Sequence, residues 1–357
     1  MENELRSKLG RIFSGVKGVD AIALVNSPDT DPNFLYVTGY TSGLFEGDVL
    51  IITKSEAYHL TSMLEYGTAM AQKVDGLSVI NVRSRKEAQD TIGKLVRGKR
   101  LGLNEEFLPY AVCTRFKARY KPGKVVDVSS QLAKTRMVKG EKEISRMRKA
   151  VNITKWALME IQKHFAEGTS EKELAADFDY IMMRLGAQKP AFDTIVCFGK
   201  NAALPHHMPD STKLKNGDFI LIDAGARVDN YCADITRTFA FGNRSAKMKE
   251  VYDIVKDARM LAIKAVKPGA KGKAIHRIAE DCINKSAKGR YKGRFIHALG
   301  HSLGIEVHDG EGFSPKSELV LKPGMVITVE PGVYVEGFGG VRIEDDVLVT
   351  REGHIVL

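Results

Sequence analysis

Two segments of this 357-residue chain each carry a pair of acids in a setting that suits a hairpin. The run Asp218-Phe219-Ile220-Leu221-Ile222-Asp223 leads through a turn-like stretch, Gly225 to Asn230, into Tyr231-Cys232-Ala233-Asp234-Ile235-Thr236-Arg237-Thr238-Phe239. Folded about its midpoint, it sets Ile222 opposite Ile235, Ala224 opposite Ala233 and Asp223 against Asp234, at the spacing where cross-strand side chains interact. Further on, Val326-Ile327-Thr328-Val329-Glu330, a glycine-rich loop through Gly337, Gly339 and Gly340, and Val341-Arg342-Ile343-Glu344-Asp345-Asp346-Val347 repeat the construction. Folding about Gly337 sets Glu330 against Glu344, with Pro331 able to shift that register by a residue.

Two like charges about 5 Å apart repel by roughly 3 kcal/mol at an effective dielectric near 20, so two such pairs cost about 6–7 kcal/mol. A folded protein has only about 5–15 kcal/mol of net stability. Such pairs therefore call for protons or cations between them, and four acids converging on one place suit divalent metal. The competing reading, solvated acids on strand edges, is common for a single Asp and much less so for two mirrored pairs. Among the nine histidines, His301 and His308 frame Gly300-His301-Ser302-Leu303-Gly304-Ile305-Glu306-Val307-His308-Asp309-Gly310, and His206 and His207 follow Ala203-Leu204-Pro205. His59, His164, His276 and His354 read as ordinary polar residues. His297 lies four before His301, but Ala298 and Gly300 exclude an HExxH zinc helix, so it reads as structural. Arg342 precedes Glu344 by two, and the strand period turns both to one side.

The order and local spelling of these residues resemble the pita-bread-fold metallopeptidases, which comprise methionine aminopeptidase, aminopeptidase P and prolidase, with creatinase as a non-metal relative. The matching stretches are Leu221-Ile222-Asp223-Ala224-Gly225, Ala233-Asp234-Ile235-Thr236-Arg237-Thr238, Gly300-His301 with His308, Thr328-Val329-Glu330-Pro331-Gly332 and Val341-Arg342-Ile343-Glu344-Asp345. The resemblance spans residues 140–350 and extends more weakly to Phe34-Leu35-Tyr36-Val37-Thr38-Gly39-Tyr40. It implies two metal ions per chain: Asp223 on one, Asp234 and Glu344 bridging both, His301 and Glu330 completing the second. It further implies that Glu330 shuttles a proton and that His206 and His308 hold substrate and stabilise the oxyanion. Arg342 would then bind a substrate carboxylate by two parallel hydrogen bonds, or else orient Glu344. His206 is preferred over His207 because it directly follows Pro205. Manganese or cobalt is expected, with zinc or iron as alternatives, since carboxylate-rich sites accept all four. A first domain ahead of the catalytic one, with the spellings Leu204-Pro205-His206 and Val341-Arg342-Ile343-Glu344, points to the proline-directed members. The expected activity is hydrolysis of Xaa-Pro dipeptides, as in prolidase. Aminopeptidase P action on longer peptides is the alternative, and a non-catalytic peptide- or nucleic-acid-binding relative is the alternative of another class. A homodimer is a family expectation.

The elements that must position these residues form two sets. Residues 1–135 alternate β-rich runs (Ala21 to Val25, Phe34 to Val37, Val49 to Thr53, Val79 to Val82, Leu101 to Leu103, Val125 to Val128) with helical stretches, which predicts a small α/β domain, creatinase-like on the resemblance. Residues 136–357 follow the polar junction Thr135 to Gly140 as an α+β unit, the catalytic pita-bread domain. Helices are expected over Glu141 to Glu167, from the capping-box spelling Ser170-Glu171-Lys172-Glu173, from Ser245 to Pro268-Gly269, and over Lys273 to Ala287. Antiparallel strands are expected at Phe219 to Asp223, Tyr231 to Phe241, Met325 to Glu330 and Val341 to Val349.

Composition restricts the partners. No run of about 18 apolar residues exists to span a bilayer. Met1-Glu2-Asn3-Glu4-Leu5-Arg6 places acids where a secretory signal needs bases, so a cytoplasmic location is expected. Cys113, Cys197, Cys232 and Cys282 lack any Cys-x-x-Cys pairing and read as free thiols. The net charge of +10 is evenly spread, with 20 basic and 15 acidic residues up to 136 and 34 and 29 beyond. That argues for a solvated basic surface and against a specific nucleic-acid site.

Overall fold

The computed structural model describes residues 4–357, so Met1 to Asn3 of the leader reading lie outside it. The chain divides into a unit ending at Arg136 and a unit from Met137 to Leu357. The first is built on six strands: β1 (Ala21–Val25), β2 (Val49–Ile52), β3 (Ala57–Ser62), β4 (Leu77–Val82), β5 (Arg100–Leu103) and β6 (Lys124–Asp127), in the order β4-β3-β2-β1-β5-β6. Pairs β1–β2 and β2–β3 are antiparallel and the others parallel. The central β1 is buried along its whole length, which explains its uninterrupted apolar spelling.

The expected strand at Phe34 to Val37 is instead a helix, Pro32–Thr38. Its ends decide the matter. Asp31 caps the Asn33 amide, Pro32 opens the first turn, and Gly39 closes the helix in the left-handed conformation, where its amide bonds to the Leu35 carbonyl. A short apolar run fits either element, and the flanking caps outweigh it.

In the second unit, helices Glu141–Glu160, Glu171–Arg184, Ala246–Ala265 and Gly272–Lys285 surround short antiparallel sheets. The first helix stops sooner than Glu167, passing into a tighter turn at Ile161–His164. Ser170 and Glu173 form the expected capping box, and Ser245 caps the Met248 amide. The strands are β7 (Lys189–Pro190), β8 (Ile195–Phe198), β9 (Phe219–Ala224), β10 (Ala226–Val228), β11 (Tyr231–Cys232), β12 (Ile235–Ala240), β13 (Val326–Val329), β14 (Gly332–Val335), β15 (Gly339–Arg342), β16 (Asp345–Val349) and β17 (His354–Val356). The spans expected as single strands, Tyr231 to Phe241 and Val341 to Val349, are therefore each broken, at Ala233-Asp234 and at Ile343-Glu344.

The first hairpin pairs Asp223 with Thr236, Ala224 with Ile235 and Arg227 with Cys232, not Asp223 with Asp234. Its turn residues are Asp229 and Asn230, both at positive φ (46° and 69°), as a two-residue hairpin turn of this hand requires. The ladder is two residues out from the expected register, and because side chains alternate with period two, Asp223 and Asp234 still share a face. The second hairpin keeps the expected register throughout, Val329 facing Asp345 on one side of the break and Gly332 facing Arg342 on the other. Pro331 does not shift it. The segment expected as a loop before Gly337 is itself strand β14.

Candidate active site

The acids sit where the ladders break. Asp223 is near the end of β9, Asp234 lies between β11 and β12, Glu330 follows β13, and Glu344 lies between β15 and β16. At the first break the Ala233 carbonyl approaches Gly225 so closely that a Cβ there would overlap it. The freed Asp234 amide donates to Asp346 (3.1 Å), and the Glu344 amide to the Thr236 carbonyl (3.1 Å), which ties the two hairpins together. His301 is brought in by a close approach of backbones: Gly300 lies against the Thr328 carbonyl with no room for a side chain. The His301 amide donates to Thr328 Oγ1 (3.0 Å) and the Thr328 amide to the His301 carbonyl (2.9 Å).

Asp234, His301 and Glu344 offer ligand atoms within 4.8 Å of one another. His301 Nε2 is 3.5 Å from Asp234 Oδ2 and 3.6 Å from Glu330 Oε1, too far for good hydrogen bonds. His301 Nδ1 meets the Ser302 carbonyl at 3.3 Å, and since a carbonyl only accepts, that nitrogen carries the proton and Nε2 presents a lone pair to two carboxylates. Burial, and then His308, push the imidazole down to about 4, so protonation does not relieve the clash near neutrality. Burial first, and then the charge of Glu344, hold Asp234 and Glu330 well above the carboxylate range. Glu344 is pushed up to about 8 by burial and by Asp223. Asp223 Oδ1 and Glu344 Oε1 are buried without a hydrogen-bond partner. Lone pairs converging from one imidazole and several carboxylates, two of them with oxygens left unpaired, fit divalent ions.

Arg342 is the cation beside this cluster. Nη2 donates to Asp223 Oδ2 (2.6 Å), Nε to Thr236 Oγ1 (3.1 Å) and Nη1 to the Tyr334 hydroxyl (3.0 Å). Thr236 in turn donates to Glu344 Oε2 (2.6 Å), so Arg342 orients Asp223 directly and Glu344 through Thr236. Three of its five N–H groups are thus committed.

A cavity of about 220 Å³ opens over the cluster, lined by Asp223, Glu330 and Arg342 and by four histidines, His206, His297, His301 and His308. The rings of His301 and His308 lie 4.2 Å apart. His207, next to His206, turns away and bonds to Glu171 (2.9 Å). A larger cleft of about 370 Å³ beside Phe219, Phe239 and Tyr252 contributes a single acid, Asp253. Size therefore does not single out the chemistry.

One wall residue, His297, and the tyrosine bonded to it, Tyr334, fall outside the residues that the sequence assigns to the site. His297, read as structural, lines the cavity: its Nδ1 donates to the Ala298 carbonyl (2.8 Å), so its Nε2 accepts from the Tyr334 hydroxyl (2.8 Å), and the ring lies 3.9 Å from Glu330. Residues 297–301 are irregular chain, so the spacing of a zinc helix has no bearing on His297. Tyr334 stands in β14, and the signal that could have found it is the pair of glycines making room for its ring: Gly332 and Gly340 both lack space for a Cβ beside it. The remaining histidines hold the chain: His59 pairs with Asp48, His164 with Asp177, His276 stacks on Phe295 and His354 bonds to the Val266 carbonyl.

Comparison with known proteins agrees with this geometry. The sequence pattern of the creatinase/prolidase N-terminal domain matches residues 13–138, and that of metallopeptidase family M24 matches residues 145–351. The chain is 37% identical over 341 residues to an Xaa-Pro dipeptidase of Pyrococcus horikoshii, covering 96% of this chain and 93% of that one. Among solved structures, the Xaa-Pro dipeptidase from Bacillus anthracis superposes with a TM-score of 0.90 at 32% identity, covering 99% and 97% of the two chains. The X-Pro aminopeptidase from Thermotoga maritima superposes with a TM-score of 0.87 at 33% identity, covering 95% of each. With its acids and His301 arranged for metal and both halves of its length matched, the chain belongs to metallopeptidase family M24, its peptidase domain preceded by a creatinase/prolidase N-terminal domain.

Proposed function

We propose that this chain is an Xaa-Pro dipeptidase that works with two divalent ions held by Asp223, Asp234, His301, Glu330 and Glu344. The observation that carries the reading is the convergence of these lone pairs, with unpaired buried oxygens on Asp223 and Glu344, at the floor of a histidine-walled cavity. When bound, such ions supply Lewis acidity and an acidified water with a pKa near about 7. Beside such ions Glu330, which lines the cavity, would accept a proton from the water and pass it to the departing prolyl nitrogen. That transfer is needed because the tertiary Xaa-Pro amide nitrogen leaves as an amine. His206 and His308 face the cavity from its wall and donate to the carbonyl oxygen as it gains charge. Arg342 commits three N–H groups to Thr236, Tyr334 and Asp223, which makes holding Asp223 and, through Thr236, Glu344 its main part.

Manganese or cobalt suits a set of four carboxylates and one imidazole, with zinc and iron the competitors. Four free cysteines suit a reducing, cytoplasmic setting, and a homodimer follows the family expectation. No helix among the described residues is long and apolar enough to cross a membrane.

Relatives named for Xaa-Pro dipeptide hydrolysis favour a short substrate. The similarity to an X-Pro aminopeptidase keeps cleavage of longer peptides as the second reading. Assay of Ala-Pro and Met-Pro against matching Xaa-Pro-Xaa tripeptides, with manganese or cobalt, separates them. A dipeptidase should favour the dipeptides at least about tenfold in kcat/KM, since only they present a carboxylate on the proline. Equal or faster tripeptide cleavage would establish the aminopeptidase reading. Tight, sequence-selective binding of DNA or RNA without hydrolysis would replace both.

A further inference from the structure

The loop carrying His206 has little of its own to hold it. It is irregular between Leu204 and Pro209, and Leu204 and Met208 are more than half exposed. Its anchor is Glu171, the first residue of helix Glu171–Arg184, fully buried. Glu171 Oε1 accepts from the Phe198 amide (2.7 Å) and Asn201 Nδ2 (2.9 Å). Its Oε2 accepts from His207 Nε2 (2.9 Å) and the Asp210 amide (3.1 Å). Four donors from the one stretch Phe198 to Asp210 thus meet on one carboxylate, and Asn201 and Asp210 bracket the exposed turn. Pro205 and His206 are the inner residues of a turn closed by the His207 amide on the Leu204 carbonyl (3.1 Å), so a His207 tied back to Glu171 fixes the turn that carries His206 to the cavity wall.

The trio Glu171, His207 and Asp210 also lies close enough to ligate a metal. Each Glu171 oxygen, however, already accepts two hydrogen bonds, one of them from a backbone amide, and an ion would have to break these. The carboxylate is a complete hydrogen-bond node, unlike the acids under the cavity, whose oxygens are left over.

We infer that Glu171 is a positioning residue for hydrolysis: through His207 it fixes the Leu204–Pro209 loop so that His206 meets the substrate carbonyl. This rests on the proposed role of His206. Glu171→Gln keeps the volume but sets an amide NH₂ against two of the four donors, and His207→Ala removes the tether alone. Each should lower kcat about tenfold while leaving the metal content of the holoenzyme unchanged. His207→Gln, which can still donate to Glu171, should recover most of the loss.

The deciding measurement is a double-mutant cycle on Xaa-Pro dipeptide hydrolysis by the metal-loaded enzyme. In a His206→Ala background, His207→Ala and Glu171→Gln should cost no further kcat, because they act through a side chain that is already gone. Additive losses, equal failure of His207→Gln and His207→Ala, or wild-type kcat in both single variants would overturn the inference. So would a third bound ion that disappears with His207→Ala, which would mark the trio as a metal site. If His206→Ala itself hydrolyses at the wild-type rate, the proposed role of His206 fails, and the positioning role falls with it. Additivity on a slow His206→Ala enzyme sinks the positioning role alone. Should Glu171→Gln fail to fold, the His207 pair carries the cycle unaided.

Discussion

The buried acids of the first unit and those under the cavity of the second are treated in opposite ways. In the first unit, Asp31 is fully buried, yet Oδ1 accepts from the Asn33 amide (2.7 Å) and side chain (2.8 Å) and Oδ2 from Asn104 (2.9 Å). Burial raises its pKa, and those three donors pull it back. Asp48, likewise buried, bonds to the fully buried His59 at 2.8 Å, whose other nitrogen meets the Tyr40 hydroxyl at 3.2 Å. In the second unit, Asp234, Glu330 and Glu344 face one another, and the charges of their neighbours add to burial in raising all three. A buried acid with its own donors is part of the fold. A set of buried acids with too few donors and one another for neighbours is a site, because something from solution must complete it.

The sharpest way to test that contrast is to remove a charge from the second group. Asp234→Asn or Glu344→Gln should lose bound metal and lower hydrolysis by more than about a thousandfold, as should chelation of the wild type, with activity restored by added metal only in the latter. The metal-free variants should nevertheless melt higher near neutrality than the metal-free wild type, because they fold without taking up the proton that Asp234 and Glu344 need there. The sign in pH follows the same logic. Glu344 binds its proton below about 8 when folded and below about 4.5 when unfolded, so the folded state holds more protons across that window. The metal-free protein should therefore gain stability as pH falls from about 8 towards 5, and ions should flatten that profile. Full activity in a demonstrably metal-free sample would end the comparison.

A subtler intervention uses the cation bonded directly to Asp223. Arg342→Lys retains the charge but cannot reach Asp223, Thr236 and Tyr334 from one planar group. If the guanidinium serves mainly to orient Asp223 and Glu344, kcat should fall about tenfold or more on dipeptide and tripeptide alike. If it serves mainly to grip a substrate carboxylate, KM for the dipeptide alone should rise. The two outcomes separate cleanly in one steady-state experiment.

The legibility of the sequence followed the same division. The pairing of Glu330 with Glu344 could be read because one midpoint governs a symmetric hairpin, and β13–β16 and β14–β15 both obey it across the break. The Asp223–Asp234 hairpin was displaced because its turn needs two residues at positive φ, and Asp229-Asn230 supplies them one step past the centre of the segment. Residue types alone carried the face on which those acids lie, since alternation survives a two-residue slip. What escaped were contacts between distant segments. His297 and Tyr334 meet across 37 positions and Glu171 and His207 across 36, and neither pair has a local signature. The helix Pro32–Thr38 escapes for a different reason, its caps Asp31 and Gly39 lying outside the apolar run Phe34 to Val37.

The smallest expected effect comes from the first unit and is the control for all the rest. Asp48→Asn keeps the shape of the side chain but weakens the hydrogen bond to His59, deep among Phe34, Tyr40 and Phe45, where no water is available to replace it. Leaving a buried polar group poorly paired costs about 1–3 kcal/mol, which for a unit of this size is a fall of several degrees in melting temperature. Metal content should stay at the wild-type value, and kcat per folded molecule should change by less than about twofold. The direction is the point: the same Asp→Asn chemistry at Asp234 should raise metal-free stability while abolishing hydrolysis. Calorimetry of both variants without metal reads the two signs directly. Equal destabilisation by both would mean that the acids under the cavity are as well compensated as Asp48, and the argument from their unpaired oxygens to bound ions would fail.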